Sequence, residues 1–364
     1  MGKSVFVTKA YLPPRAEFDK YLDRIWDSAW LTNMGNLHEE LKERLRAYLG
    51  VDGIELFVNG HLALEMCLQA YDFPKGSEII TTPFSFASTV HAIVRQGLKP
   101  VFCDIRESDC TIDPDKIEEL ITDRTVAILP VHVYGNIADV YRIREIADRH
   151  GLKVIYDAAH AFGESIDGTA VGNFGDASMF SFHATKVFNT IEGGAVAFHD
   201  NDGGNFARTL YQIKNFGIMD QEHVEYIGGN AKMNEFQAAM GLCNLKHIDE
   251  LIEARKAIDA IYRNGLAGSG VRFMEHRDNI RYNYSYMPVM TDDRDDVFDR
   301  LAEHGIHTRK YFYPCINAYD CYKDRYDENE TPAARDISRK ILTLPIYPDL
   351  EHETAEEICR LIRE

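Results

Sequence analysis

Two residues set the chemistry open to this sequence, Asp157 and Lys186. Each follows a short apolar run, Val154–Tyr156 or Ala177–Phe182, that reads as a buried parallel strand. Open α/β sheets bind ligands beyond the carboxyl ends of such strands. The first run therefore delivers Asp157 to that edge, and the second delivers Ser181 and then, in the following loop, Lys186. A buried carboxylate and a lysine in a polar loop are what pyridoxal phosphate requires. The amine holds its aldehyde as a Schiff base, and the carboxylate keeps its pyridine nitrogen protonated so that the ring withdraws electrons. Taken singly, Asp157 reads as a helix cap and Lys186 as a solvated surface lysine. The pair is the more specific signal.

The elements that must position this pair alternate in kind. Ile54–Val58, Glu78–Thr82, Lys99–Ile105 and Thr125–Pro130 read as further strands, and Gly194–Phe198 as a strand leaving the site. Helical patterns cover Leu37–Leu49, Pro114–Ile121, Ile137–His150 and Arg208–Phe216. This alternation predicts an α/β fold with a mostly parallel, doubly wound sheet. After the Ile54–Val58 strand, Asn59-Gly60-His61 opens a helix, and the free backbone N–H groups there suit a phosphate. Residues 1–36 read as an N-terminal arm, with a helix from Pro13-Pro14 and a loop over Trp30–Gly35. The loop either leads to the mouth of the site or uses Trp30 to pack the arm down. Gly217–Gly229 reads as a loop. Asn234-Glu235-Phe236-Gln237 has the form of a capping box. It starts an amphipathic helix expected to bend near Leu251 and run to Leu266, which divides a large domain (1–245, arm included) from a small α+β domain (246–364). In the small domain Tyr282–Val289 is strand-like, and helices cover Arg294–His304, Pro332–Ile341 and Glu353–Arg363.

Composition narrows the class. The chain has 364 residues, 45% hydrophobic and 27% charged, which is ordinary for a globular protein. A net charge of -18 argues against a general nucleic-acid binder but leaves an anionic small substrate open. No apolar run reaches the length of a membrane span. The N-terminus lacks the apolar core of a signal peptide, and Met1-Gly2 reads as an ordinary start and not a myristoylation signal. The seven cysteines form no Cys-x-x-Cys pair and no zinc spacing, so they read as reduced thiols of a cytoplasmic protein without a metal site.

The chain resembles the DegT/DnrJ/EryC1/StrS family of pyridoxal phosphate-dependent nucleotide-sugar aminotransferases. Six blocks in order carry the resemblance: Pro83–Phe86, Pro130–Gly135, Asp157–His160, Gly175–Ala177, Ser181–Lys186 and Glu192–Gly194. It implies fold type I of the pyridoxal phosphate aminotransferases. It makes Lys186 the cofactor-linked lysine and later the proton shuttle, and Asp157 the partner of the pyridinium. It puts the cofactor phosphate at Gly60, His61 and Ser181, and the Phe86 ring on the face of the pyridine. His61 departs from the small hydroxyl residue or asparagine usual there, and either donates to the phosphate or blocks it. His160 contacts the ring's phenolic oxygen or is a core histidine. His183 lines the substrate pocket or packs on the turn. Asn230 reaches the phosphate of a neighbouring subunit, which implies a homodimer with a shared active site, and Lys232 stands where many members carry arginine. Arg309 and Tyr313 bind substrate, or belong to an ordinary half-exposed strand.

The implied reaction moves an amino group from glutamate to a nucleotide-linked keto-deoxysugar, with C4 of dTDP-4-keto-6-deoxyglucose preferred. Amination of a 3-keto isomer, lyase or dehydratase chemistry on the same scaffold, and a catalytically silent cofactor-binding regulator are the alternatives. One branch of the family replaces the lysine with histidine and dehydrates its substrate, and Lys186 argues against that branch.

Overall fold

A computed structural model describes residues 4–199 and 201–364, so the reading of Met1-Gly2 lies outside the described residues. Seven strands form the central sheet: β1 (Gly53–Phe57), β2 (Glu78–Thr81), β3 (Lys99–Phe102), β4 (Thr125–Leu129), β5 (Lys153–Asp157), β6 (Ala177–Ser181) and β7 (Gly194–Phe198). Their order is β1-β7-β6-β5-β4-β2-β3. Every pairing is parallel except those of β7, which runs antiparallel to both β1 and β6. The fold is α/β, as expected.

The strands read as continuous apolar runs because both faces of the sheet are covered. Ile128, Val154, Tyr156 and Phe180 point into one core. The alternate residues Ala127, Leu129, Ile155 and Met179 point into the other. Helices α1 (Arg15–Ser28), α2 (Asn36–Leu49) and α5 (Val140–His150) send their apolar residues to the first core, and α3 (Gly60–Ala70) and α4 (Ala87–Arg95) contribute to the second. The Asn59 carboxamide accepts from Leu62 N at 2.8 Å and so fixes where α3 begins. After α6 (Asn205–Ile213) the Asn234–Gln237 capping box forms as expected and starts α7 (Glu235–Asn244).

The long helix expected after it is two. Single-turn bonds Lys246 N→Cys243 O and His247 N→Asn244 O end α7, and Asn244 gives its amide to Asn189 O at 2.9 Å. Helix α8 (Ile248–Gly265) then starts afresh, so the break falls at 245–247 and not near Leu251. Pro114–Ile121 is also not a helix. It forms two 3-10 turns, with Lys116 N bonded to Asp113 O and Ile121 N to Glu118 O.

The C-terminal part packs α8, α9 (Arg294–Glu303), α10 (Pro332–Ser338) and α11 (His352–Arg363) around an antiparallel sheet of β8 (Arg272–Phe273), β9 (Met287–Met290) and β10 (Ile341–Leu344). The strand expected over Tyr282–Val289 is confined to β9, because Tyr284 takes a left-handed conformation (φ 54°) that interrupts it. Val5–Phe6 of the arm pairs in parallel with Ile306–His307, so the arm begins against the C-terminal part. Among the described residues no helix is long and apolar enough to cross a membrane.

Candidate active site

A cavity of about 410 Å³ opens at the carboxyl ends of β1, β5 and β6. It brings together eight of the residues singled out from sequence: Gly60, His61, Phe86, Asp157, His160, Ser181, His183 and Lys186. Their placement follows from the strands that carry them. Asp157 ends β5, Ser181 ends β6, and Gly60 opens α3 directly after β1. Gly60 sits against Ser181 so closely that a β-carbon would lie 2.8 Å from Ser181 Cβ. A β-carbon on Gly194 would lie 2.7 Å from Gly60 Cα. Two glycines therefore let three backbones meet at this end of the cavity.

The loop carrying Lys186 is fixed at both ends. Phe182 and Phe188 are buried and pack on Phe162, with ring centroids 5.8 and 4.5 Å from it. Between them Lys186 N bonds to His183 O at 2.9 Å. The amine that results stands 5.6 Å from the centroid of the Tyr286 ring. Burial pulls its pKa down to about 8, against the opposing pull of Asp157 and Tyr311. No carboxylate is recorded within ion-pair distance of Nζ among the described residues.

Asp157 is 4% exposed. Burial pushes its carboxyl above the usual range, and three groups resist: Thr89 Oγ1 donates at 2.7 Å, Ala159 N at 3.1 Å, and Lys186 adds positive charge. Thr89 spends its one hydrogen on Asp157, so its oxygen accepts from Ser85 Oγ at 2.8 Å. A chain of hydroxyls thus orients the carboxylate.

His160 is buried, and burial holds its imidazole well below the usual range, so the ring is neutral. Tyr134 N donates to Nδ1 at 3.0 Å, which places the ring hydrogen on Nε2. His160 thus lines the cavity with an N–H to give. His183 accepts from Thr185 N at Nδ1 and turns Nε2 to within 3.6 Å of Glu192, and both residues line the cavity. Phe86 caps α4 and keeps 58% of its surface open beside the cavity.

Three sequence-predicted residues do not line the cavity. Arg309 and Tyr313 lie on the same stretch as Tyr311 and Phe312, which do. Tyr313 N bonds to Lys310 O at 2.7 Å and closes a turn. The turn directs 311 and 312 inward, leaves Tyr313 48% exposed under the Arg294 guanidinium, and leaves Arg309 exposed. Arg309 still reaches the site indirectly, by donating from Nη1 to the Tyr311 hydroxyl at 3.2 Å. Asn230 is exposed on the segment after Phe216 and does not line the cavity.

Sequence reasoning missed Tyr286, Tyr311, Phe312, Ser88 and Thr89. The alternating tyrosines of Tyr282-Asn283-Tyr284-Ser285-Tyr286 were a usable signal, because an aromatic stripe on a short strand needs a cavity or a core to face. Tyr286 takes part in an aromatic wall with His160 (4.7 Å) and Tyr311 (6.0 Å), and burial first of all holds its hydroxyl up at about 12.

The chain is 42% identical, over the full length of both, to a dTDP-4-amino-4,6-dideoxy-D-glucose transaminase of Shigella dysenteriae. It is 43% identical to the enzyme of that name from Escherichia coli, over 99% of this chain and 98% of the other. The crystal structure of DesI with its TDP-sugar product superimposes with a TM-score of 0.93 at 34% identity, over 100% of this chain and 93% of that one. Residues 14–363 match the model of the DegT/DnrJ/EryC1/StrS aminotransferase family, and the chain belongs to that family of sugar aminotransferases.

Proposed function

We propose that the protein uses pyridoxal phosphate to move an amino group from glutamate to C4 of dTDP-4-keto-6-deoxyglucose. The observation that carries this reading is Lys186: a half-buried amine without a carboxylate partner, in a cavity that also holds a carboxylate fixed by donors. The relatives named above act on a 4-amino-4,6-dideoxyglucose linked to dTDP, which supports the choice of sugar and position.

The residues present fit the cofactor. Gly60 leaves a cradle that a β-carbon would fill, lined by the start of α3 and the Ser181 hydroxyl. When bound, pyridoxal phosphate supplies an aldehyde carbon and an electron-withdrawing pyridinium. Asp157 would hold the pyridinium N–H by a charge-assisted bond. His160 Nε2–H would donate to the phenolic oxygen, and Phe86 would cover the ring. Lys186 Nζ would hold the cofactor and would be the group that takes and returns a proton at the reacting carbon. A pKa near 8 leaves that amine able both to take and to give a proton near neutral pH. Tyr286, Tyr311 and Phe312 screen it from water.

The active unit in this reading is a homodimer in the cytoplasm, where its seven free thiols stay reduced. Support comes from exposed apolar side chains on the arm (Trp26, Trp30, Leu31), on the lysine loop (Ile191) and on the segment from Phe216 to Ile227. The last of these segments leads to Asn230, which would reach the partner's cofactor phosphate, with Lys232 beside it held by Asn215 at 2.9 Å.

The test is an absorbance spectrum of the cofactor-loaded protein before and after glutamate, followed by product analysis with keto-sugar nucleotides. A spectral shift to the amine form and formation of a dTDP-4-amino sugar are expected. Bound cofactor that ignores glutamate, or amination only of a 3-keto sugar, would overturn the donor or the position.

A further inference from the structure

The backbone reaches Glu192 through a conformation that local preference opposes. Ile191, the residue before it, is left-handed (φ 71°), a region that β-branched side chains avoid. Three bonds hold the loop there. Ile191 N donates to Asn189 Oδ1 at 3.2 Å, and the Glu192 carbonyl accepts from Thr190 Oγ1 at 2.7 Å and from Gln237 Nε2 at 2.6 Å. Gly193 is required next, because a β-carbon there would lie 1.9 Å from Thr190 Oγ1. The outcome is that the Ile191 side chain stays 46% exposed while Glu192 joins the lining of the cavity. Strain held in place by that many bonds marks a position where the direction of a side chain matters.

Two carboxylates line the cavity, Asp157 and Glu192. Asp157 is buried and already receives Thr89 Oγ1 and Ala159 N. The Glu192 side chain is 52% exposed, and among the described residues no lysine or arginine lies within ion-pair distance of it. His183 Nε2 comes within 3.6 Å, which is too long for a hydrogen bond. The Glu192 carboxylate therefore faces the cavity with its lone pairs unused.

Charge selects what those lone pairs can meet. An ionised carboxylate accepts hydrogen bonds and gives none. Both reactants of the proposed reaction carry negative charge, glutamate on its carboxylates and the nucleotide sugar on its diphosphate. Coulomb repulsion keeps those parts away from Glu192. The sugar ring is the neutral part, and its hydroxyls have hydrogens to give.

We propose that Glu192 is a specificity-determining residue that accepts a hydrogen bond from a ring hydroxyl of the acceptor sugar. The proposal rests on the function stated above and deepens it, by naming the residue that separates hydroxylated from deoxygenated keto-sugars. A sugar without that hydroxyl covers the carboxylate and gives it no donor, which is the costly case.

The test compares dTDP-4-keto-6-deoxyglucose with its 2-deoxy and 3-deoxy analogues, in the cofactor-loaded unaltered protein, Glu192→Ala and Glu192→Gln. In the unaltered protein kcat/KM should fall about 10- to 100-fold for the analogue that lacks the bonded hydroxyl, the scale of a hydrogen bond to a charged group. Glu192→Ala should lose a similar factor with the parent sugar and nothing further with that analogue. Glu192→Gln keeps an acceptor oxygen and should fall between. The half-reaction with glutamate, followed by single-turnover absorbance, should be no slower in either variant, because a repelling charge has gone. Losses of the same factor with all three sugars, or a glutamate half-reaction slowed as much as the sugar half-reaction, would make Glu192 a structural residue of its loop and overturn the inference. Equal kcat/KM of the unaltered protein for all three sugars would overturn it even if neither variant folds. Failure of the unaltered protein to aminate any of them would overturn the function stated above and the inference with it.

Discussion

Lys186 and Lys214 are both lysines taken out of bulk water, and the protein treats them in opposite ways. Lys214 is fully buried and bonded to the Glu55 carboxylate and, at 3.1 Å, to Leu56 O. Glu55 also receives Lys42 at 2.8 Å. Burial pushes the Glu55 carboxyl up, but the two lysines push harder and hold it below its usual range. Burial lowers Lys214, and Glu55 opposes that. The result is a closed network in which one carboxylate is shared by two lysines. Lys186 has walls of tyrosine and phenylalanine, no carboxylate bonded to it, and a cavity in front of it. A fully buried lysine with partners holds the scaffold, whereas a half-buried one that faces a cavity without them is available for reaction.

The largest test of that contrast is activity. Lys186→Ala should lower turnover by about 10²–10⁴-fold in steady-state assays while the cofactor still binds. Lys214→Met should keep the chemistry of every folded molecule. Comparable turnover losses per folded molecule in the two variants would erase the distinction.

Stability should then run the other way. Lys214→Met leaves Glu55 buried with only Lys42, and should cost about 2–4 kcal/mol in urea unfolding of the cofactor-free protein. Replacing Glu55 with Leu in the same variant should recover part of that loss, because the uncompensated charge goes too. Lys186→Met should instead stabilise the cofactor-free protein at pH 7. The unfolded amine titrates near 10.5 and the folded one near 8, so below pH 8 both states are protonated and folding buries a charge. Between the two values the unfolded state binds more protons, and the stability of the unaltered protein rises with pH. The gain from Lys186→Met should be about 1–3 kcal/mol at pH 7, discounted for cavity water that still reaches the amine, and vanish above pH 10.5. A gain that persists at pH 11 would mean that packing and not charge is responsible.

How far the site could be read in advance depended on the kind of element that carries each residue. Asp157, Ser181 and Gly60 were legible because strands buried on both faces are continuous apolar runs, and the polar residue after such a run has one place to go. The Asn234–Gln237 cap was legible because both of its bonds are local. Failures came where distant contacts decide. The break at 245–247 involves Asn244 reaching Asn189, 55 positions away, and no local pattern encodes that. His61 was read as a departure from the usual residue, but Ser88, which its Nδ1 meets at 2.9 Å, stands on another helix that only the fold brings close.

The segment 309–313 is the sharpest failure, and it yields the smallest expected effect. Alternation along a strand puts 309, 311 and 313 on one face, but the turn from Lys310 to Tyr313 breaks the alternation and sends only 311 and 312 inward. Arginine has hydrogens to give and no lone pair to offer, so the Tyr311 hydroxyl accepts from Arg309 and keeps its own hydrogen for the cavity. Arg309 would therefore act on the proposed substrate through Tyr311. Tyr311→Phe should weaken the reaction by about three- to tenfold, the scale of one hydrogen bond. Arg309→Gln should fall short of that, and combined with Tyr311→Phe it should add nothing. Additive losses in kcat/KM would instead make Arg309 a direct ligand of the substrate, and the exposed face of this stretch a part of the site.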